Sequence, residues 1–244
     1  MNRDILTSTR LSRRAVIGSA LTATLLGTRV IPALAQSEPD AVAVLSAASL
    51  RLAEIESLHF TLAIEGETYI DESRAIQLES AEGDLVRPDK VNVEFQVRLL
   101  GATTVSIRMI TIGTDSWTTD LITGNWGEAP PEFGYNPSVL YDNKIGLGPV
   151  MGKLDGAGIA GTEEIDDREA HHVTGTATSE IIAPLTADTM TGDEVAIELW
   201  IDVETSDLLR VKVVEPDSEA KENPATWEMN LSAFNETVDI EPPE

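Results

Sequence analysis

Two hydrophobic periods alternate along this chain. After Asp40, which can cap a helix, Ala41, Val44, Leu45, Ala48, Leu52 and Ile55 recur at helical spacing and predict one amphipathic helix. From Leu58 the period becomes two. Phe60, Leu62 and Ile64 share one face, residues 74–82 read as the partner strand, and Val91, Val93, Phe95, Val97 and Leu99 mark another. Residues 103–112 continue the meander with Val105, Ile107 and Met109 on one side and Ile110 and Ile112 on the other, as expected of a strand covered on both faces. Residues 115–120 and Gly124-Asn125-Trp126 predict a further hairpin.

The middle breaks this rhythm. "EAPPEFGYNP" is a Pro-rich loop, and residues 137–154 hold apolar side chains at mixed spacing, interrupted by Gly146, Gly148, Pro149 and Gly152, which predicts two short helices. Strands resume at 161–165 and 169–178. The stretch "SEIIAPLTADTMTGD" reads as an apolar loop between strands, with Ile182 and Leu185 beside Pro184 forming a mobile gate. In "ELWIDVETSDLLRVKV", Leu199, Ile201 and Val203 alternate against Glu198, Trp200 and Asp202. On the return strand Leu209, Val211 and Val213 are expected on one face and Leu208, Arg210 and Lys212 on the other. Residues 224–234 supply a closing strand and "DIEPPE" a frayed tail. There is no internal repeat and no βαβ alternation.

Composition narrows the function. A chain of 244 residues with 42% hydrophobic content suffices for one sizeable core. A formal charge of −25, with no Lys/Arg cluster beyond the first stretch, excludes a nucleic-acid backbone as partner and is repelled by an anionic membrane surface. Cysteine is absent, which removes disulfides, thiolate nucleophiles and Cys-ligated metals. Residues 1–35 read as an export signal rather than fold. Arg3, Arg10, Arg13 and Arg14 precede an apolar run over 15–26, and Ala33-Leu34-Ala35 supplies an A-x-A cleavage site that leaves Gln36 first. Arg13 and Arg14 after Ser12 are similar to a twin-arginine signal. The alternative is an uncleaved anchor, but Gly18 and Gly27 interrupt the run, which falls short of the roughly 20 residues a span needs.

Catalytic motifs are weak. Gly156, Gly158 and Gly161 form a G-x-G-x-x-G that opens no helix, so the phosphate cradle is missing. "EEIDDREAHH" holds Glu163, Glu164, Asp166, Asp167, Glu169, His171 and His172, in principle enough ligands for a divalent metal. However, adjacent histidines on a strand point to opposite faces, and Asp166-Asp167 sits where a hairpin turn is wanted. His59 starts a strand with no charged relay nearby in sequence. No G-x-S-x-G elbow and no H-E-x-x-H occurs. These residues predict neither an enzyme nor a metal or cofactor.

"ASLRLAEIESLHFTLAIEGE", "AEGDLVRPDKVNVEF", "NKIGLGPVMGKL" and "ELWIDVETSDLLRVKVVE", in that order, resemble the LppX/LprAFG family of cell-envelope lipoproteins over nearly the whole mature chain. The resemblance implies an α+β, LolA-like fold for residues 36–244, a curved antiparallel half-barrel sheet wrapped over a few helices. It also implies binding of the acyl chains of a lipid or glycolipid for transport, with no catalytic residues. Family members carry an acylated Cys after the signal where this chain has Gln36, so the expectation here is an exported, soluble, monomeric carrier of the cell envelope that meets a membrane transporter or acceptor protein. Alternate sheet positions Phe95, Val97, Ile107, Met109, Leu199 and Val211, with Leu147 and Met151 from the helices and Ile182 and Leu185 from the gate, are the candidate lipid-lining residues. The competing reading is a non-enzymatic structural or regulatory envelope domain with a filled core.

Overall fold

A computed structural model describes residues 40–70, 73–129, 137–217 and 222–244. Arg13, Arg14, Ala33 and Ala35 of the export signal lie outside these. Helix α1 (Ala41–Glu54) begins as the sequence predicts, with the Asp40 carboxylate accepting from Val42 N at 3.3 Å and Ala41, Leu45, Ala48 and Leu52 buried. Its far end is held by Arg87. That guanidinium donates to the carbonyls of Ile55 at 2.7 Å and Leu52 at 3.0 Å and lies 4.3 Å over the Tyr141 ring. A cation at a helix C-terminus satisfies orphan carbonyls and opposes the macrodipole, which gives the Arg of R-P-D its structural reason.

The strands are β1 (Ser57–Glu65), β2 (Ile76–Val86), β3 (Lys90–Leu99), β4 (Thr103–Ile112), β5 (Asp115–Thr119) and β6 (Trp126–Glu128), then β7 (Asp155–Ile165), β8 (Arg168–Ala177), β9 (Val195–Asp202), β10 (Leu208–Val214) and β11 (Thr226–Ser232). They form one antiparallel 11-stranded sheet in the order β6-β5-β4-β3-β2-β1-β11-β10-β9-β8-β7. Each half is a meander, and the halves meet where β1 pairs with β11. Among the described residues β6 and β7 remain edges, so the sheet is a half-barrel and not a closed one. The chain from Glu128 to Asp155 must therefore pass from one edge to the other. It does so with a 3₁₀ turn (Pro137–Tyr141) and α2 (Leu147–Met151), the two short helices expected there. Together with α1 and α3 (Ser179–Thr186) they cover the inner face, and their apolar sides and that face form one main core.

Five local expectations change. The residues of "SEIIAPLT" are a helix and not a loop, because Ile182 and Leu185 gain burial on one helical face despite Pro184 inside it. Strand β2 runs on through Gly83 to Val86, so the turn is confined to Arg87-Pro88-Asp89. Gly83 permits this, since a Cβ there would stand 2.2 Å from the carbonyl oxygen of Asn92 on β3. Strand β7 absorbs the glycine motif from Asp155 onward, with register shifts at Asp155/Gly158 and Ile159/Gly161. A bulge lies between Leu208 and Arg210, where Leu208 faces Ile201 and Arg210 faces Trp200. That extra residue puts Leu208 on the inner face with Val211, while Leu209 turns outward to pack with Trp200, Ile165 and Ala170. The terminal segment is docked at Ile240, which is buried and whose carbonyl accepts from Lys90 Nζ at 3.1 Å.

Candidate functional site

The floor of the site spans four neighbouring strands. Leu199 stands opposite Val211, Val211 opposite Met229, and Met229 opposite Leu62, while Ile197, Val213 and Trp227 form a parallel row beside them. Strand alternation thus brings every second residue of β9, β10, β11 and β1 to one surface roughly 14 Å across, at about 4.8 Å per strand. The roof is Leu140 of the 3₁₀ turn, Leu147, Val150 and Met151 of α2, Leu154, and Ile182, Leu185 and Thr186 of α3. Between floor and roof lies a cavity of about 50 Å³.

No titratable side chain lines this cavity. Its two side chains with a hydrogen-bonding group are both satisfied, the Thr186 hydroxyl donating to the Ile182 carbonyl at 3.2 Å and the Trp227 indole donating to Thr68 Oγ1 at 3.1 Å. Such a lining cannot perform acid–base or nucleophilic chemistry, and it favours apolar matter alone. The volume is well below the roughly 300 to 1,000 Å³ of ordinary ligand pockets, so in this conformation it takes a few carbon atoms and no more.

Of the candidate lipid-lining residues, the fold gathers Leu147, Met151, Ile182, Leu185, Leu199 and Val211 around this one cavity. It does not bring the others there. Met109 is buried in the main core away from the cavity, and Phe95 is half-buried between that core and a second cluster. Val97 and Ile107 belong to that second cluster with Leu78, farther along the strands. Alternation identifies the inner face of the sheet but not the position along it. Sequence reasoning leaves out Trp227 and Met229, although their alternation with Leu231 is visible, and Leu208, which the bulge conceals.

Polar side chains are organised elsewhere. On the outer face His172 stacks on Trp200 at 4.5 Å and sits between Glu163 at 3.0 Å and Glu198 at 2.8 Å, while His171 points to the opposite face. The Trp200 indole donates to Glu163 at 2.8 Å and, with His172, holds that carboxyl below its ordinary range. Asp166-Asp167 forms the β7–β8 turn, both at positive φ. Among the described residues no group of His, Asp and Glu stands close enough to hold a metal ion. Pairing of β1 with β2 gives His59 a carboxylate partner that sequence distance hides, Asp84 at 2.9 Å.

The L-W-I-D hairpin is pinned at its turn. The Asp202 carboxylate accepts from Glu204 N at 2.8 Å and Thr205 N at 2.6 Å. Arg168 bridges Asp202 and Asp207 at 2.7 Å each, and Arg51 of α1 reaches Asp207 at 2.7 Å. Burial alone would raise both aspartate pKa values. The bonds from Thr205 and Arg168 to Asp202, and from Arg168, Arg51 and Thr205 to Asp207, outweigh it and hold both below the usual carboxylate range.

A model of the LppX_LprAFG lipoprotein family matches residues 40–240. Among solved structures the chain is similar to LprF from Mycobacterium bovis, with a TM-score of 0.66 and 20% identity over 84% of this chain and 98% of that one. It is also similar to the Mycobacterium tuberculosis lipoprotein LppX, with a TM-score of 0.59 and 16% identity over 84% of this chain and 100% of that one. A LolA superfamily protein from Nitrosomonas europaea matches distantly, at a TM-score of 0.28 and 10% identity over 84% and 96% of the two chains. No curated protein matches the chain in sequence. At these identities the structural likenesses speak for the fold alone.

Proposed function

The chain belongs to the LppX_LprAFG lipoprotein family, and from that premise we propose that it is an exported cell-envelope protein that holds the acyl chains of a lipid or glycolipid between its sheet and its short helices, for transport. The observation that carries this reading is the cavity lining, which offers apolar side chains on every side and no polar atom needing a partner. Each methylene moved there from water gains about 0.8 kcal/mol. The polar headgroup stays outside, and a transporter or acceptor protein supplies or receives the lipid. Because the sequence has no cysteine, a thioether acyl anchor has no attachment point in it. Cleavage after Ala35 then leaves a soluble carrier beginning at Gln36.

One observation favours the second reading, a structural or regulatory domain with a filled core: the cavity of about 50 Å³ must enlarge severalfold before an acyl chain fits. Native mass spectrometry separates the two. The protein is purified without detergent, exposed to an envelope lipid extract and transferred intact. A lipid-sized mass increment that Val211→Trp abolishes is expected. A bare mass for the parent protein after that exposure refutes the carrier and leaves the filled core.

A further inference from the structure

The outer face of the first half-sheet carries a groove separate from the apolar cavity. Register lines up Thr61, Glu82, Glu94 and Arg108 across β1 to β4, with Thr119 of β5 next and Trp126 of β6 beyond it. A second row of His59, Asp84, Asn92 and Ile110 runs beside them. These rows, Thr119 aside, line a groove of about 680 Å³, inside the roughly 300 to 1,000 Å³ of ordinary ligand pockets. From β1 to β6 it crosses five strand spacings, about 24 Å at about 4.8 Å each. Alternation sends these side chains away from the cavity, which lies on the other face.

Arg108 makes this face more than a solvated one. Glu94 stands directly opposite it on β3, yet the two form no ion pair, and Glu94 instead accepts from Gln96 Nε2 and Ser106 Oγ at 2.9 Å each. The guanidinium lies over the Trp126 ring, 5.1 Å from its centroid. Among the described residues every other arginine gives its side chain to a carboxylate, amide or carbonyl oxygen, as expected in a chain with 42 acidic residues. Stacking on the indole therefore holds a planar fork in place with its N–H donors unspent. Asn92, exposed on the same floor, likewise has no side-chain hydrogen bond among the described residues.

Charge then selects the ligand. Glu82, Asp84 and Glu94 outnumber Arg108, with His59 at 3.5 Å from Glu82 and 2.9 Å from Asp84, so an anion is repelled. A cation finds the indole face already taken by Arg108. A neutral polyol meets neither obstacle, since a hydroxyl both donates to a carboxylate and accepts from a guanidinium or amide, and the charged partners strengthen those bonds. We infer that this groove binds a neutral carbohydrate chain, with Arg108 and Asn92 donating to its hydroxyls, Glu82 and Glu94 accepting from them, and Trp126 holding Arg108 in position. The ligand is a glycan free of lipid, because the sheet itself separates this groove from a lipid seated in the cavity.

An array of lipid-free oligosaccharides, neutral ones beside uronic-acid and phosphorylated ones, tests this with the purified protein. Binding to neutral members is expected, and titration calorimetry on the best of them reads the variants. Arg108→Met and Trp126→Ala each weaken binding about tenfold or more, the scale of losing hydrogen bonds from a charged group. Asn92→Ala disturbs no bond of the fold, melts like the parent and weakens binding about fivefold, which keeps the test decisive if loss of Trp126 frays the three-residue β6. Arg210→Met, in the other half of the same face, binds like the parent. The inference is overturned if no neutral oligosaccharide binds, if the charged ones bind better, or if the Arg108 and Asn92 variants bind as the parent does. Sugar recognised only when linked to lipid, and lost with Val211→Trp, would place the glycan with the cavity and overturn it too. Glycan binding without a lipid adduct in native mass spectrometry sinks the carrier reading alone, and an adduct without glycan binding sinks the groove alone.

Discussion

Adding one methylene at each of two valines distinguishes free space from packed core. Val211 borders the cavity between Leu199 and Met229, whereas Val97 is fully buried among Leu78 and Ile107. Isoleucine keeps the branched rotamer that a strand favours, so Val→Ile changes volume and little else. At position 211 the added group enters a void of about 50 Å³ and gains about 0.8 kcal/mol of burial. A domain of this size moves about 2 to 4 °C per kcal/mol, so the melting temperature rises by about 2 to 3 °C. At position 97 the valine is fully buried among Leu78 and Ile107, and overpacking there costs about 1 to 3 kcal/mol, a fall of about 2 to 12 °C. Thermal melts read the sign. Urea midpoints at unchanged slope confirm that stability alone has moved. If Val211→Ile falls as Val97→Ile does, the wall is ordinary core and the cavity argument fails.

Asp207→Asn, which breaks the Arg51–Asp207–Arg168 bridge, should cost about 2 to 3 kcal/mol, read as a lower urea midpoint. Asp202 and Asp207 titrate lower in the folded chain than the ordinary value near 3.9, so their contribution is complete above about pH 4 and is lost as pH falls below it through their depressed pKa values. Asp207→Asn should therefore flatten stability against pH in that acidic window, and an unchanged slope refutes the bridge's role. Arg87→Met should lose about 2 to 3 kcal/mol at roughly 1 kcal/mol per hydrogen bond, with faster amide exchange over the last turn of α1, and unaltered exchange there contradicts the cap. Exchange in α3 should slow when lipid binds, and equal exchange with and without lipid argues that α3 is fixed packing.

Most strands are legible because half-buried antiparallel strands alternate, and the helical period of α1 ends where Arg87 caps it. The exceptions have specific causes. A bulge cannot be read from alternation, since Leu208-Leu209 is apolar whichever residue points inward. Strand β7 is masked by glycines that carry no side-chain pattern, and α3 by Pro184 in a helix too short to show its period. The separation of Val97 and Ile107 from the cavity depends on where helices cross the sheet, which lies in the crossover's tertiary path and not in any strand. Partners distant in sequence, such as His59 with Asp84, follow once the register is known.

The layered construction decides which wall yields to a ligand. Opening the floor would break the hydrogen-bond ladders joining β9, β10, β11 and β1, each rung a buried pair costly to leave unmade. Helix α1 is fastened by the Asp40 cap, by Arg87 and by the Arg51–Asp207 bridge. What remains is the roof of the 3₁₀ turn, α2 and α3, respectively 5, 5 and 8 residues long and far below the length at which an isolated helix is stable in water. Roof side chains such as Leu140, Met151, Ile182 and Leu185 hold these elements by apolar contact. An acyl chain sliding beneath them would exchange one apolar neighbour for another, so those contacts would be replaced and not lost. About ten methylenes contribute about 8 kcal/mol of transfer from water, against the cost of reordering three short segments. If the chain is the lipid carrier proposed, expansion of the cavity would therefore be a displacement of the roof over an unmoved sheet.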